Sequence, residues 1–383
     1  MKSIPFTECV DLVGSRCKPF KGTKKYVSTG AVDVDQINEA GIEIIDYEKR
    51  PSRANLEASL GDVLFAKMQG TKKTLLISSS LVENIYSTGF CAVKAKENVL
   101  TERCLYHLLT SKMFLEQKDK NCSGATQKAI TNKGLQKVIL HVPDINKQDL
   151  IAAQLDLIVK IITLRKQELV ELDDLIKARF VEMFGTLDNP SQEFEKATLK
   201  DLCNKITDGK HGGCKVEEGT KRYFVGAREI YDDEVHYDTA PEINVNEFEK
   251  DYKRCNIEIG DFLIVNTGAT IGKSAIAADE RTEHTLLQKS VALLKVKKEV
   301  LHPVFLKWCY RVNTQMYIVK SASAQPNLLL SKINATVVYV PDINLQNQFA
   351  DFVSQIDKSK ATVQKALDET QLLFDSLMQQ YFG

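Results

Sequence analysis

Two stretches of the chain carry apolar residues at alternating steps of three and four. Leu155, Ile158, Ile162, Arg165, Leu169, Leu172, Ile176, Arg179 and Met183 make the first stripe; Val353, Ile356, Lys360, Val363, Leu367, Thr370, Phe374, Leu377 and Tyr381 make the second. Such spacing predicts two long helices of about four heptads each, with seams narrow enough for one to coil around the other. Elsewhere the pattern shortens to strand-like runs. Gly61-Asp62 leads into Val63-Leu64-Phe65-Ala66-Lys67, and Gly260-Asp261 into Phe262-Leu263-Ile264-Val265-Asn266. Each run meets a turn, Gln69-Gly70-Thr71 or Thr267-Gly268-Ala269, and resumes as Leu75-Leu76-Ile77 or Ser274-Ala275-Ile276, the signature of a hairpin. A further strand and a short helix follow in both places, around Phe90–Val93 and Cys104–Leu109, then Ser290–Leu294 and Phe305–Tyr310.

These parallels share one offset of about 198 residues. Val142-Pro143-Asp144-Ile145-Asn146 returns as Val340-Pro341-Asp342-Ile343-Asn344, Gln148 as Gln346, Ala152 as Ala350, Ile158 as Ile356 and Phe184-Gly185 as Phe382-Gly383. Ser123-Gly124-Ala125-Thr126-Gln127 likewise corresponds to Ser321-Ala322-Ser323-Ala324-Gln325. The expectation is an α+β chain with an internal repeat: a mixed module over 1–145, a helix over 146–187, a second module over 188–341 and a second helix over 342–383. If the second helix runs back along the first, an antiparallel coiled pair holds the modules apart and Phe382 returns to the first module. About 30 residues at roughly 1.5 Å each give a spacer of about 45 Å, on the order of 13 base pairs of duplex. A symmetric register, with Leu155 level with Tyr381, places Arg165 near Asp368 and Asp375, Arg179 near Asp357, and Lys360 near Asp173. The alternative is two amphipathic helices packed separately on their own modules.

Composition changes this picture little. The chain has 51 Lys+Arg and 51 Asp+Glu, but residues 1–145 hold 21 basic against 16 acidic, while 342–383 hold 3 against 6. The modules are more basic than the helices, which permits a nucleic-acid face. Nine scattered cysteines with no C-x-x-C pair argue against structural zinc or a disulfide framework. No apolar run is long enough to cross a membrane, and the N-terminus reaches Glu8 and Asp11 without a signal-like stretch, so a cytoplasmic, membrane-free protein is expected.

Candidate chemistry is sparse. Gly268-Ala269-Thr270-Ile271-Gly272-Lys273-Ser274 is one residue short of a phosphate-binding P-loop, and no long helix pattern follows it. Asn189-Pro190-Ser191 lacks the second proline and the aromatic of an adenine methyltransferase motif. The histidines include no metal-binding pair, so neither catalytic residue, metal nor cofactor is expected. What remains suits contact with DNA. Lysine-rich turns at Lys24, Lys25, Lys67, Lys72 and Lys73 fit phosphates, as do Thr126, Lys128, Thr267, Lys273, Ser323 and Asn327. Gln127 and Gln325 can orient their loops or meet a base, and Lys210-His211 sits in a glycine-rich polar loop.

In order and spacing, these features together resemble the DNA-specificity (S) subunit of type I restriction-modification systems. The resemblance rests on the fixed-order duplication, the Val-Pro-Asp segments with Gln148 and Gln346, the Ser123–Gln127 and Ser321–Gln325 loops, Gly260-Asp261 through Gly272-Lys273, and Asp208-Gly209-Lys210-His211. The first module departs by lacking the Gly-x-x-x-Gly-Lys turn and an Asp-Gly-x-His loop. The resemblance implies a noncatalytic protein whose two target-recognition domains each read half of a split sequence in double-stranded DNA. It further implies assembly with two methyltransferase subunits and, for cleavage, two ATP-dependent restriction subunits. A competing reading is a two-headed protein-binding adaptor with a coiled-coil spacer.

Overall fold

Each Val-Pro-Asp-Ile-Asn segment turns a strand into a helix by local chemistry. In the computed structural model, which describes residues 2–34, 36–313 and 328–383, the strand Ile139–Val142 stops at Pro143 and the strand Val337–Val340 at Pro341. Proline has no N–H for a ladder and keeps the residue before it extended. Asp144 then accepts the Asn146 N–H at 3.0 Å, and Asp342 accepts that of Asn344 at 2.8 Å. These caps satisfy amides that the first turn of a helix leaves open. Helices Ile145–Phe184 and Ile343–Phe382 follow, 40 residues each. Both close at Phe-Gly: Gly185 and Gly383 take φ of 71° and 94°, and their N–H groups return to Val181 O and Gln379 O at 2.8 and 3.0 Å. Glycine reaches that left-handed conformation without a Cβ clash.

A fully buried glutamine stands in the first turn of each helix. Gln148 Oε1 accepts Thr101 N–H at 2.8 Å, while its Nε2 donates to Val99 O at 2.9 Å and Pro143 O at 3.1 Å. Gln346 repeats the set with His302 N–H at 2.8 Å, Val300 O at 2.9 Å and Pro341 O at 2.8 Å. Both residues are 0% exposed, so one amide group fastens the helix start to the loop ahead of the head's short helix.

The chain forms two compact units, one of Met1–Gln167 with Gln364–Gly383 and one of Glu168–Val363. Each therefore takes half of each long helix. In the first unit Tyr381 OH donates to Gln154 Oε1 at 3.0 Å, and the Arg165 guanidinium donates to Ala366 O and Thr370 Oγ1. In the second, Lys360 Nζ lies 2.8 Å from Asp173 Oδ1 and Arg179 lies 5.9 Å from the Phe352 ring centre. Rising numbers on one helix meet falling numbers on the other, so both segments pair antiparallel. Along the seam Leu155, Ile158, Ile162, Ile176, Val353 and Leu367 are buried; Leu169, Leu172, Ile356, Val363, Phe374 and Leu377 are half-buried.

Two details of the expected register are corrected. Arg165 meets neither Asp368 nor Asp375; those carboxylates accept Gln364 and Gln371 one turn away on their own helix. Arg179 pairs with Glu182 at 2.8 Å rather than Asp357. A guanidinium on the seam points at the facing helix, where backbone carbonyls and ring faces lie closer than carboxylates on the outer flank.

The helices also enter the cores of the heads. Ile151, Leu155, Met378 and Phe382 pack with Phe6, Phe65, Leu105 and Phe114 in the first unit. Ile176, Phe180, Phe184, Phe349 and Val353 pack with Phe262, Phe305 and Trp308 in the second. Each head is built on a four-stranded antiparallel sheet of the same order. In the first it runs Val10–Val13, Phe90–Ala95, Val63–Ala66, Thr74–Leu76. In the second it runs Cys203–Asp208, Val291–Val296, Phe262–Val265, Ser274–Ile276. A parallel pair stands beside each sheet, Lys24–Val27 with Ile85–Ser87 and Tyr223–Val225 with Thr285–Leu287. The Gly-Asp turns are alike too. Asp62 accepts Ser59 N–H and Asp261 accepts Glu258 N–H, both at 2.8 Å, and burial raises both carboxyl pKa values.

Candidate functional site

In the first head the end of the strand Val63–Ala66 opens into a cleft of about 210 Å³ lined by Thr29, Arg53, Lys67, Met68, Thr88, Gly89 and Gln127–Ala129. Backbone hydrogen bonds tie its walls together. Lys67 N–H donates to Gly89 O at 2.9 Å, Thr88 N–H to Arg53 O at 2.9 Å, Gln69 N–H to Lys128 O at 3.0 Å and Ile130 N–H to Lys67 O at 2.9 Å. The neighbouring turn is fixed from beneath by Lys118, whose side chain is 1% exposed. Its ammonium donates to Met68 O at 3.0 Å and Thr71 O at 2.8 Å, while Asp119 accepts Gly70 N–H at 3.1 Å. A buried lysine with acceptors on several sides meets the condition under which a charge can be tolerated in a core.

The cleft brings together three residues expected to touch DNA, Lys67, Gln127 and Lys128, with Thr126 exposed on the same loop and Lys72 exposed on the adjacent turn. Lys73 is tied to the cleft wall, its ammonium donating to Thr29 O at 2.7 Å. Two others lie apart: Lys25 pairs with Glu39 at 3.3 Å, and Lys24 sits 5.2 Å from the Phe20 ring centre. Arg53 was missed. It lies in an ordinary-looking Pro51-Ser52 turn with no repeat partner, and only the basic excess of the first module hinted at further cations there.

In the second head Lys210 is committed internally, with Nζ 2.7 Å from Asp251 Oδ2 and 3.4 Å from Glu247 Oε2. The hydrogen bond to Asp251 is the chief reason its pKa rises. Its loop is seated by glycine: a Cβ at Gly209 would lie 2.1 Å from Leu287 O. Asp208 holds Arg254 at 2.5 Å and faces His211 Nε2 at 3.5 Å, leaving the His211 side chain 55% exposed. His211 therefore reaches solvent where Lys210 does not. Lys273 is exposed in a cleft of about 410 Å³ with Asp232, Asp233, Arg311, Lys360 and Asp173; Asp233 accepts Arg311 at 2.6 Å. Thr267 Oγ1 bonds Asn266 Oδ1 at 3.2 Å. The Gly268–Lys273 turn returns directly into the strand Ser274–Ile276, so no helix N-terminus faces it as a P-loop requires. Ser323, Gln325 and Asn327 lie outside the described residues.

Among the described residues no group of three or more His, Cys, Asp or Glu is placed to hold a metal, and no helix is long and apolar enough to cross a membrane. Burial pushes the Cys104 and Cys203 thiols up to about 12, away from nucleophilic use.

The family model of the type I restriction modification DNA specificity domain matches this chain twice, over residues 15–174 and 191–370. The specificity subunit of the EcoBI type I restriction enzyme of Escherichia coli is 22% identical over 326 residues, 76% of this chain and 67% of that protein. A chain solved in a study of assembly and conformational transition of the type I R-M system superposes with a TM-score of 0.62 at 19% identity, covering 99% of this chain and 97% of that one. The type I restriction-modification S subunit from M. genitalium superposes with a TM-score of 0.56 at 15% identity, covering 100% and 96%. Those two likenesses are of fold. The family match is of sequence, and each of its copies takes in one head with most of the long helix that follows, so the chain belongs to the type I restriction-modification specificity subunits.

Proposed function

We propose that this chain is the sequence-reading, noncatalytic subunit of a DNA-modifying complex, each head recognising one half of a bipartite target in duplex DNA. The observation that carries this reading is a shared scaffold with unlike surfaces. The two heads repeat the order of one four-stranded sheet, yet the strand end that carries Lys67 into a cleft with Arg53 and Lys128 in the first carries the buried Asn266 in the second. Half-sites of different sequence need that divergence. The paired helices would set the length of the unread gap and dock two methyltransferase subunits. Leu150, Leu157 and Leu164, exposed at 63%, 59% and 52%, recur every seven residues along one face of the first long helix, an apolar stripe that suits a helix-binding partner. Two restriction subunits would join for cleavage, in the cytoplasm.

Methylated adenines mapped genome-wide with and without this gene test the reading: the expected result is one bipartite motif present only with the gene. Binding of the purified complex to its motif should weaken steeply with salt, because phosphate contacts release counterions. Salt-insensitive binding to a protein partner, with no motif lost on deletion, would replace it with the two-headed adaptor.

A further inference from the structure

We propose, building on the DNA-reading role set out above, that the cleft of the first head is its base-reading subsite and that Arg53 is a specificity-determining residue. Its guanidinium takes the major-groove edge of a guanine, while Lys67 and Lys128 hold the adjoining phosphodiester.

Two observations bear on Arg53 and a third on the cleft around it. The first is electrostatic. Arg53, Lys67 and Lys128 line one cleft with no acidic residue in its wall, and among the described residues none of the three forms an ion pair. Four arginines elsewhere are tied to carboxylates: Arg103 with Asp156, Arg254 with Asp208, Arg281 with Asp279 and Arg311 with Asp233. Among the described residues Arg53 is held through its backbone carbonyl, which accepts Thr88 N–H at 2.9 Å and Asn55 N–H at 2.9 Å. A rigid fork of donors, left free and lodged in a cleft, matches the paired O6 and N7 acceptors of guanine better than a lone phosphate requires.

The second is rigidity. The backbone bonds joining Lys67 to Gly89 and Gln69 to Lys128 brace the cleft, and the buried Lys118 fixes the turn beside it. Discrimination between bases needs the backbone that carries the reading side chain to be fixed, and these bonds fix it. The third is where the heads differ. The bond from Lys67 N–H to Gly89 O, 2.9 Å, has its counterpart in Asn266 N–H to Ser290 O, 3.0 Å; Ile130 N–H to Lys67 O, 2.9 Å, corresponds to Leu328 N–H to Asn266 O, 2.7 Å. The frame is the same while the side chains change from Lys and Gly to Asn and Ser. Asn266 is buried and Ser290 Oγ accepts Ala227 N–H at 3.1 Å, so at this strand end the cation belongs to the first head.

The test maps methylated adenines in cells carrying the methyltransferase partner with the wild-type chain, Arg53→Ala or Arg53→Lys. The expected result is the wild-type motif relaxed at a single base pair of one half, with preference there falling roughly ten- to hundredfold, and with the other half and the gap unchanged. Arg53→Lys should relax the same position, since a point charge cannot replace the fork. A Lys67→Ala, Lys128→Ala double variant should instead weaken modification at all sites evenly and lower the salt dependence of binding. An unchanged motif in both Arg53 variants, or an even loss across all sites with no base relaxed, overturns the assignment of Arg53. A wild-type chain that directs no motif at all overturns the DNA-reading role and the assignment together. Arg53 is exposed and its side chain makes no hydrogen bond among the described residues, so thermal unfolding of the variants should match the wild type.

Discussion

Truncating the buried glutamines offers a quantitative check on the fold, because the same perturbation can be made once in each unit. Gln148→Ala removes one accepted and two donated hydrogen bonds in the first unit, and Gln346→Ala removes the corresponding three in the second. A net loss of about 1 kcal/mol per bond, plus the cost of leaving buried backbone groups unpartnered, gives about 3–5 kcal/mol. That is a large share of the roughly 5–15 kcal/mol that holds a typical domain together. At about 2–4 °C per kcal/mol for units of this size, the affected unit should melt roughly 6–20 °C earlier. Trp308 is the only tryptophan in the sequence and is buried in the second unit, so its fluorescence reports that unit, whereas far-ultraviolet circular dichroism reports both.

Gln346→Ala should therefore lower the tryptophan midpoint, while Gln148→Ala should leave it nearly in place and add an early loss of helical signal. Gln→Leu at either position fills the volume but leaves the same three backbone groups without partners. It should recover only the smaller, packing part of the loss. A midpoint shift under about 1–2 °C in either alanine variant, equivalent to the roughly 0.5 kcal/mol of an ordinary surface change, would refute the claim that these amides fasten helix to head.

Three further outcomes follow from single sites. Lys118→Met leaves Met68 O and Thr71 O without their donor; urea unfolding should show a loss of about 2–4 kcal/mol, and the Gly70 amide should exchange faster. Gly209→Ala brings a Cβ to 2.1 Å from Leu287 O, so the backbone must shift, and the Trp308 midpoint should report a cost of at least about 2 kcal/mol. His302 caps the helix Pro303–Val312 by accepting Val304 N–H on Nδ1 at 3.1 Å, and burial lowers its pKa from 6.5. The unfolded chain then binds that proton more readily, so stability is full above pH 6.5 and declines as pH falls from there towards the folded value. Midpoints measured from pH 8 to pH 5 should show this slope, and His302→Asn, which keeps a capping acceptor, should remove it.

The elements fixed by local chemistry could be read directly from the residues. Pro143-Asp144 and Pro341-Asp342 are a strand stop and a helix cap, Gly185 and Gly383 are left-handed helix ends, and the seam from Leu155 to Ile176 shows in its spacing alone. Illegible parts depend on partners far away in the chain. Lys210 looks like a free lysine in a glycine loop until Asp251 is brought beside it, and Lys118 looks like one of several surface lysines until the Met68–Thr71 turn folds over it. Arg165 shows the same limit within an element that was read correctly. Its helix and its seam position follow from spacing, but its acceptors, Ala366 O and Thr370 Oγ1, depend on a register that flanking carboxylates did not set. Gln148 and Gln346 were visible as landmarks, though not as buried ones, since glutamine is a residue usually found in water.

The repeat records which physical constraints a head cannot escape. A buried amide that uses its acceptor and both donors has no substitute of the same shape. Glutamate cannot donate to the Val99 and Pro143 carbonyls, and leucine leaves them dry and unpaired. Gln148 and Gln346 consequently stand in matching places with the same partners, as do the Asp caps, the Phe-Gly ends and the Gly-Asp turns. The cleft around Lys67 is under no such constraint. The bonds that hold Lys67 and Asn266 at the ends of their strands are made by backbone atoms, which any residue but proline supplies, so a half-buried lysine in one head and a buried asparagine in the other fit the same sheet. A scaffold that places its folding requirements in buried amides and its surface chemistry on backbone-held strand ends lets one head change what it reads while the other, and both helices, stay as they are.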